Sequence, residues 1–434
     1  MPHAPLFNAC AISGEPGPQL AVAGGVPWMV WIQTDTEDGF SLETGGVARD
    51  TRCRVVLARR DGGRVTIVRT FPVTGDSPRA QGIGVGPSGW MVCWTHTRDG
   101  VTELLMATPA HAPRVIRAGR IWEARLVTLE DGTVLLGLIE LEGRRPMLRF
   151  YRLTSDGLSA ESCGPAIEGA WSVAMAPAGG RSCWLAWDRH SAHRLLAEVG
   201  QLDAATGRLA RHPLPGSGFA TMPSVCPLPG GGAGVAWTED KAWGARTYDF
   251  KRATRLRYAE FDADGIRLCE DVPVPPLDEA DDQQSPCSPG LVALHDGVHL
   301  LFRRMRTAMR SGTLINDWGW QLHTITRAPD GNWTAPAIFS HDVGLPDEPP
   351  RLAATGAGEA MLIYHACSFD AMRSVIHGNR IHLAVLRAAP AAATGVHAPL
   401  PPRAVEPANR PRLATRPVTE AAGERLGCYW GDLH

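Results

Sequence analysis

The chain has 434 residues, of which 44% are hydrophobic and 20% are charged. Its 43 lysines and arginines are balanced by 45 aspartates and glutamates, which gives a formal net charge of −2. Broad binding to nucleic acid or to anionic membrane needs a clear positive excess, so the composition argues against both as general partners. The hydrophobic fraction excludes a mainly disordered chain and is sufficient for a large core.

Targeting and redox signals are weak in this sequence. No run approaches the roughly 20 apolar residues of a membrane-spanning helix, and residues 1–25 lack the basic and apolar regions of a secretory signal. The ten cysteines are dispersed without a Cys-x-x-Cys pair, which fits neither a zinc ribbon nor a dense disulfide scaffold. We therefore expect a cytoplasmic protein with reduced, structural cysteines.

A repeated pattern runs through residues 1–390. A glycine precedes a short apolar run that ends in a large side chain, and a polar stretch and a second apolar strand follow. In chain order the apolar runs are residues 28–31, 90–94, 134–138, 183–187, 235–237, 300–302 and 361–364. The partner strands are residues 54–58, 103–107, 147–153, 194–199, 255–261, 319–326 and 380–386. Turn dipeptides such as Asp61-Gly62 and Asp330-Gly331 then favour a return to a further strand.

Repeats of about 44 to 65 residues with several short strands, rich in Gly and Trp and without helical periodicity, are typical of β-propeller blades. The sequence therefore predicts an all-β propeller over residues 1–390, with seven blades preferred and six as the alternative count. A pair of β-sandwiches would also give evenly spaced short strands, but it does not require the same glycine, apolar and aromatic pattern in every repeat. We expect the apolar run at residues 6–12 to complete the last blade as its outermost strand.

After residue 386 the composition changes to Ala, Pro and Thr, which indicates a linker at residues 391–422 outside the propeller core. Beyond it the sequence reads Tyr429-Trp-Gly-Asp-Leu-His434. This segment resembles the opening of the PHP (polymerase and histidinol phosphatase) family of metallohydrolases, in the branch whose catalytic domain begins Gly-Asp-Leu-His-x-His. The resemblance covers about six residues and implies that residues 423–434 are the start of a truncated PHP-like domain.

The resemblance also implies a metal site. In that family both histidines of the His-x-His pair are metal ligands, and the metal converts bound water into a nucleophile near neutral pH. Only His434 of the pair is present, so it is the one candidate metal ligand, and the family's other ligands are missing. We therefore expect no catalytic residue and no cofactor in this chain, and a divalent Mn, Zn or Fe ion in a longer parent protein.

Long polar connections in the fifth, sixth and seventh repeats carry basic and aromatic side chains. Because equivalent connections in successive blades open on the same face of a propeller, we expect these side chains to converge on one rim. Arginine forks bind carboxylate or phosphate, and aromatic planes stack on sugar rings or bases. The alternative is that the arginines pair with neighbouring carboxylates and the aromatics pack the loops. The candidate ligand-binding residues are Trp243, Arg246, Arg303, Arg306, Trp318 and Arg373.

The sequence leaves three functions open. The first is a non-catalytic binding or scaffolding propeller, which serves an anionic or glycan-like ligand or the downstream catalytic domain of a PHP-like hydrolase. The second is a sialidase-like glycoside hydrolase or a lectin-type propeller, although residues 328–333 approach the sialidase box Ser-x-Asp-x-Gly-x-x-Trp only once and with different spacing. The third is a purely structural interaction module. No phosphate-binding loop, nucleophile elbow or dinucleotide fingerprint occurs in the sequence.

Overall fold

The structure is a computed structural model that describes most of the chain. The described ranges are residues 17–34, 40–41, 46–47, 52–154, 160–191, 194–216, 220–240, 254–262, 264–275, 286–310, 313–344, 349–356, 358–370, 375–389, 418–421 and 424–427. Every regular element in these ranges is a β-strand. They contain no helix that is long and apolar enough to cross a membrane. The chain divides into two units, Met1–Pro390 and Ala391–His434.

The strands of the first unit follow one another along the chain with short turns between most of them. The first four repeats contain β1 (Gln19–Ala23), β2 (Val26–Thr34), β3 (Phe40–Ser41), β4 (Gly46–Val47), β5 (Cys53–Asp61), β6 (Arg64–Pro72), β7 (Asp76–Gly86), β8 (Gly89–Arg98), β9 (Val101–Ala107), β10 (Arg114–Gly119), β11 (Ile121–Thr128), β12 (Val134–Glu142), β13 (Arg145–Leu153), β14 (Ala160–Ser162), β15 (Ile167–Glu168), β16 (Ala170–Pro177), β17 (Ser182–Ser191), β18 (Arg194–Asp203) and β19 (Leu209–Pro213). The last three repeats contain β20 (Ala220–Pro227), β21 (Ala233–Asp240), β22 (Thr254–Asp262), β23 (Gly265–Asp271), β24 (Pro286–Leu294), β25 (Gly297–Arg310), β26 (Thr313–Arg327), β27 (Ala337–Gly344), β28 (Arg351–Gly356), β29 (Glu359–Asp370) and β30 (Val375–Arg387).

In the described part of the first unit these strands form seven antiparallel sheets, one for each repeat. From the inside outward their orders are β1-β2-β5-β6, β7-β8-β9-β10, β11-β12-β13-β14, β16-β17-β18-β19, β20-β21-β22-β23, β24-β25-β26-β27 and β28-β29-β30-β3-β4, with β15 also paired to β13. The first strand of each sheet contacts the first strand of the next, and β1 contacts β28, so the ring is closed. The predicted all-β, seven-bladed propeller is confirmed, and we number its blades 1 to 7 in chain order.

The apolar runs seen in the sequence are the second strands of the blades, one place outward from the axis. Trp31, Trp94, Trp187 and Trp237 on these strands are at most 1% exposed. Apolar clusters run between neighbouring blades, and one of them joins side chains of blades 3 and 4 around Trp187. Each second strand is therefore covered on both faces, which explains its continuous apolar sequence.

The first strand of each blade, which we call the inner strand, has no large-residue signature because space near the axis is limited. On β7 a Cβ atom at Gly82 would lie 2.8 Å from the backbone nitrogen of Leu126 in blade 3. Glycine at this position lets two inner strands approach each other closely. The inner strands were therefore harder to recognise from sequence than the second strands.

Blade 7 is completed differently from the other blades. Among the described residues, the outer edge of β30 pairs with β3 through Val375 and Ser41. Strands β3 and β4 belong to the connection between the second and third strands of blade 1. The expected outermost strand at residues 6–12 lies outside the described residues and stays a prediction.

The two faces of the ring differ in the length of their connections. Because the strands of a blade are antiparallel, the connections between second and third strands lie on the face where the inner strands begin, and we call this the upper face. Short turns follow β8 and β12 there, whereas β25 and β26 of blade 6 pair as a long hairpin out to Arg310 and Thr313. In blade 7 the corresponding hairpin continues to Asp370 and Val375. On the upper face, long hairpins therefore extend from blades 6 and 7, whereas blades 2 and 3 have only short turns.

The described cysteines are structural. Seven of them carry free thiols, and five of these are buried. Burial raises the pKa of Cys163 to about 11 and that of Cys93 to about 12. These two thiols therefore stay protonated and unreactive at neutral pH.

The second unit contains one described hairpin. Strands β31 (Val418–Ala421) and β32 (Glu424–Gly427) pair in antiparallel fashion. The hairpin spans the position at which the sequence placed the change from linker to PHP-like segment.

Candidate functional site

Most of the residues predicted to bind a ligand or a metal have no described side chain. For Arg306 and Trp318 the structure describes only their positions on β25 and β26. Their binding roles, and those of the residues that lie outside the described ranges, stay predictions. The predicted site residues outside the described ranges are Trp243, Arg246, Arg373 and His434.

Arg303 lies inside the wall of the propeller. Its side chain is fully buried between blades 6 and 7. The guanidinium donates from Nη1 to the carbonyl of Trp320 at 3.2 Å and from Nη2 to the carbonyl of His365 at 2.6 Å. Arg303 therefore joins two blades through backbone carbonyls, and its ligand-binding role stays a prediction.

Arg303 occupies a position that recurs around the ring, directly after the large side chain of the second strand. In blade 4 this position is Asp188, whose Oδ2 accepts a hydrogen bond of 3.1 Å from the N–H of Met222 in blade 5. In blade 5 it is Thr238, whose Oγ1 accepts one of 3.3 Å from the N–H of Ser288 in blade 6. We call these contacts the inter-blade clamps, because each one ties a second strand to the next blade.

Blade 2 makes the same connection through two side chains. Gln81 donates from Nε2 to Oγ1 of Thr95 at 2.9 Å, and Thr95 occupies the recurring position. The Oε1 atom of Gln81 accepts a hydrogen bond of 2.8 Å from the N–H of Ala124 in blade 3. Blades 2, 4, 5 and 6 thus each have a clamp at this position, and its chemistry differs from blade to blade.

The clamped N–H groups in blades 5 and 6 belong to irregular inner strands. Register shifts lie between residues 221 and 224 of β20 and between residues 287 and 290 of β24. Met222 and Ser288 have φ angles of 53° and 51° there, in the left-handed region that costs a residue other than glycine about 1–2 kcal/mol. Because a bulge removes an N–H from the strand ladder, a side chain of the preceding blade must satisfy it. Bulges of this kind are frequent beside functional sites, where they redirect side chains.

The same level of the inner strands carries a charged cluster. In blade 3 the Oε1 atom of Glu123 lies 2.7 Å from Nη2 of Arg125, and both side chains are largely buried. Glu123 also accepts a hydrogen bond from the N–H of Val173 in blade 4 and interacts electrostatically with Arg351, the first residue of β28 in blade 7. Since blades 3 and 7 lie on opposite sides of the ring, Glu123 and Arg351 extend toward the axis. We call the cluster of Glu123, Arg125, Arg351 and Asp188 the axial mouth.

Both carboxyl groups of the axial mouth hold protons more tightly than usual. Burial raises the pKa of Asp188 to about 6, hydrogen bonds from Met222 and Ser172 oppose this, and the charge of Glu123 adds to it. Burial also raises the pKa of Glu123, while the guanidinium groups of Arg125 and Arg351 oppose it. Carboxyl groups with shifted pKa values that lie in one cluster are a physical sign of a functional site, and structural networks produce them too.

An aromatic pair with one exposed member stands beside the axial mouth. Trp122, next to Glu123 in β11, is 41% exposed. Its ring meets that of Trp171 in blade 4 edge-on, with centroids 5.2 Å apart and an interplanar angle of 88°. The Nε1 atom of Trp122 donates to the carbonyl of Trp171 at 3.0 Å. The indole is therefore held in one orientation with part of its surface open to solvent.

A cavity of about 550 Å³ lies on the lower face, between blades 7 and 1. Arg60 and Glu359 line it together with glycine-rich turns, and their charged groups are 3.9 Å apart. Arg60 also donates to Sδ of Met361 at 3.0 Å. This cavity offers one paired cation and anion, which is a poorer set of groups than the axial mouth provides.

The described residues contain no group of three or more His, Cys, Asp or Glu side chains arranged to hold a metal ion. The candidate ligand His434 lies outside them, so its metal role stays a prediction.

Neither a family model nor a curated protein matches the chain. Similar solved structures include the β-propeller domain of the Trilobed protease from Pyrococcus furiosus, with a TM-score of 0.45 and 10% identity over 85% of this chain and 92% of that one. The GH93 alpha-L-arabinofuranosidase of Fusarium graminearum has a TM-score of 0.45 and 11% identity over 70% of this chain and 92% of its own. For the Hadza microbial sialidase Hz136 the values are 0.43 and 11%, over 85% and 65%. Our assignment of the fold rests on the strand order and register.

Sequence reasoning missed the axial mouth, although two signals for it were present. The residue after the large side chain of the second strand is polar in several repeats, as in Asp188 and Thr238, where an apolar residue would be expected in a buried strand. Glu123 and Arg125 stand at alternate positions of an otherwise mostly apolar strand, so they project to the same side. Arg351 gave no local signal, because only ring closure brings it near Glu123.

The raised pKa of Asp188 makes stability depend on pH. Its folded pKa of about 6 exceeds the ordinary value of 3.8, so the folded state binds more protons than the unfolded state between these values. The free energy of unfolding should therefore fall as pH rises from about 4 to about 6, by about 3 kcal/mol at most. The asparagine of Asp188→Asn cannot ionise. We therefore expect that the free energy of unfolding of this variant, measured by urea unfolding, lacks this decrease between about pH 4 and about pH 6.

Asp131→Asn is the matched control. Burial acts to raise the pKa of this lower-face carboxyl, but hydrogen bonds from Thr133 and the hydrogen bond and charge of Arg181 together outweigh it and lower the pKa. That variant should keep the loss of stability between pH 4 and pH 6. If the free energy of unfolding changed with pH in the same way for the wild type and for Asp188→Asn, the raised pKa of Asp188 would be contradicted.

Proposed function

We propose that this chain is a non-catalytic binding propeller whose ligand lies over the axial mouth on the upper face. The supporting observation is the convergence of Glu123, Arg125 and Arg351 from opposite sides of the ring. These groups supply hydrogen-bond donors and acceptors near the axis of the ring, on the face from which the hairpins of blades 6 and 7 extend. Concave sites with a few convergent polar groups are the usual binding sites of small molecules.

The charges of the axial mouth favour a hydroxyl-rich, glycan-like ligand over an anionic one. Two carboxyl groups and two guanidinium groups leave little net charge when all are ionised. Carboxylates accept hydrogen bonds from hydroxyl groups, and guanidinium groups donate to hydroxyl and ring oxygens. A site for phosphate or carboxylate would need an uncompensated excess of guanidinium groups.

The hydrogen bonds of the two carboxyl groups support a binding role without catalysis. The Oδ1 and Oδ2 atoms of Asp188 accept hydrogen bonds from the N–H groups of Ser172 and Met222, at 2.8 Å and 3.1 Å. Glu123 is engaged by Arg125 and by the N–H of Val173. A general acid or base must reach the proton that it transfers, and backbone N–H groups occupy both oxygen atoms of Asp188.

A glycoside hydrolase is the second candidate, and one observation favours it. Glu123 and Asp188 are buried carboxyl groups at the same mouth, and both have raised pKa values. Glycoside hydrolysis uses two carboxyl groups, of which one must be protonated to act as the acid. The candidate predicts turnover of aryl glycosides that is lost in Glu123→Gln.

The resemblance of residues 429–434 to the start of a PHP domain supports a further part of the proposal. In this view the propeller serves a metal-dependent hydrolase domain within a longer cytoplasmic protein. The domain would hold a divalent Mn, Zn or Fe ion, with His434 as one of its ligands. The propeller would then position the substrate or the partner of that domain.

We expect Arg351→Gln to weaken ligand binding at the axial mouth. Thermal-shift screening with neutral oligosaccharides, glucuronic acid, N-acetylneuraminic acid and inorganic phosphate identifies a ligand, and calorimetry then gives its dissociation constant. Loss of a charge-assisted hydrogen bond should raise that constant about tenfold or more. Arg181→Gln removes a guanidinium group that pairs with Asp131 on the lower face, and it should leave the constant unchanged. Equal effects of the two variants, or no stabilisation by any probe, would contradict the proposal.

We expect no hydrolysis by the 434-residue chain itself. A catalytic metal needs about three protein ligands in fixed geometry, and the PHP-like segment supplies one imidazole. Phosphatase, phosphodiesterase and aryl glycosidase assays with added Mn²⁺, Zn²⁺ or Fe²⁺ test this, beside a longer protein translated through the downstream reading frame. Metal-dependent turnover only in the longer protein would support the PHP proposal. Metal-independent glycosidase turnover that Glu123→Gln abolishes would replace the binding role with the second candidate.

A further inference from the structure

Trp122 is unusual among the exposed apolar side chains of the described residues. The other large exposed hydrophobic residues there are valines and isoleucines on the third or fourth strands of their blades, whereas Trp122 lies on an inner strand beside the axis. Tryptophan is usually well buried, so a tryptophan that is 41% exposed beside a charged cluster needs an explanation.

The strand pairing explains how Trp122 comes to be exposed. The register of β11 against β12 shifts between Ile121 and Glu123, so Trp122 is left out of the ladder. The register of β16 against β17 shifts between Ala170 and Ser172, which leaves out Trp171 in the same way. Bulged residues point away from the regular sheet direction, and here two consecutive blades turn an indole toward the same site.

The hydrogen bond and ring contact of Trp122 determine what it offers a ligand. Its N–H already donates to the carbonyl of Trp171, and its edge-to-face contact with the Trp171 ring fixes its plane. The exposed part is therefore apolar ring surface without a donor of its own. A ligand must bind it through stacking, and the next residue of the strand is Glu123, which pairs with Arg125.

These features together match the two-sided chemistry of a sugar ring. A pyranose presents C–H groups on one face and hydroxyl groups around its edge, so it can stack on an indole while its hydroxyl groups meet charged groups. A nucleobase also stacks on indole, but single-stranded nucleic acid needs a positively charged groove for its backbone. The carboxyl groups of Glu123 and Asp188 offset the guanidinium groups here, which disfavours phosphates.

We propose that the Trp122–Trp171 pair is a stacking subsite for the ring of a neutral oligosaccharide at the axial mouth. This inference rests on the proposed function and narrows its ligand to a neutral glycan. The pair lies in blades 3 and 4, across the ring from the long hairpins of blades 6 and 7.

The test is calorimetric titration of the full chain with defined probes. The probes are neutral hexasaccharides of glucose, xylose, mannose, galactose and arabinose, with acidic hexagalacturonate and the oligonucleotide (dT)6 as comparisons. We expect a neutral hexasaccharide to bind, Trp122→Ala to raise its dissociation constant at least tenfold, and Trp122→Phe to give a smaller rise. Trp28→Ala is the matched control, because this half-buried indole near the lower end of β2 lies beside Arg59, and it should leave the constant unchanged.

Each other outcome overturns a definite part of the account. Equal affinity of the wild type, Trp122→Phe and Trp122→Ala would remove the stacking subsite, while the proposed function would survive if Arg351→Gln still weakened binding. Binding of only hexagalacturonate or (dT)6 would overturn the neutral-glycan assignment. No binding by any probe would overturn both the subsite and the proposed function. Melting curves of the variants show whether a loss of affinity reflects loss of fold.

Discussion

The propeller depends on hydrogen bonds that cross from one blade to the next at the upper end of its inner strands. A buried N–H that leaves the strand ladder costs about 1–3 kcal/mol unless it finds another acceptor. In this chain the acceptor comes from the preceding blade, as in Asp188 to Met222 and Thr238 to Ser288. Apolar packing holds the second strands of neighbouring blades together. Because it is non-directional, it does not by itself set the register of one blade against the next. The inter-blade clamps supply that register.

The same constraint shapes the axial mouth. Bulges that free an N–H for a clamp also turn side chains out of the sheet, and Trp122 and Trp171 are both left out of the pairing in this way. Glu123 accepts from the N–H of Val173 and so joins blades 3 and 4 while it extends to the axis. Structural and binding roles are therefore combined in one layer of residues. This combination explains why the carboxyl groups are buried and have raised pKa values.

The sequence predicted the parts of this structure that repeat. Seven buried second strands follow from the spacing of residues such as Trp94 and Trp187, because burial on both faces requires continuous apolar runs. The role of Arg303 was not predictable in the same way. From sequence alone, an arginine at this position is equally consistent with a ligand-binding residue on the rim and with a residue that bonds backbone carbonyls of the next blade. Arg351 and Glu123 are far apart in sequence, and only closure of the ring brings them together. Trp122 was missed because a bulge is a property of strand pairing, which a local apolar pattern does not encode.

The central claim is that ligands bind at the axial mouth on the upper face. The most direct measurement is a crystal structure of the full chain soaked with the neutral oligosaccharide that binds most tightly. The account predicts a sugar ring stacked on Trp122, with hydroxyl groups within hydrogen-bond distance of Glu123 or Arg351. A sugar found instead in the lower-face cavity beside Arg60 and Glu359, with the axial mouth empty, would contradict it.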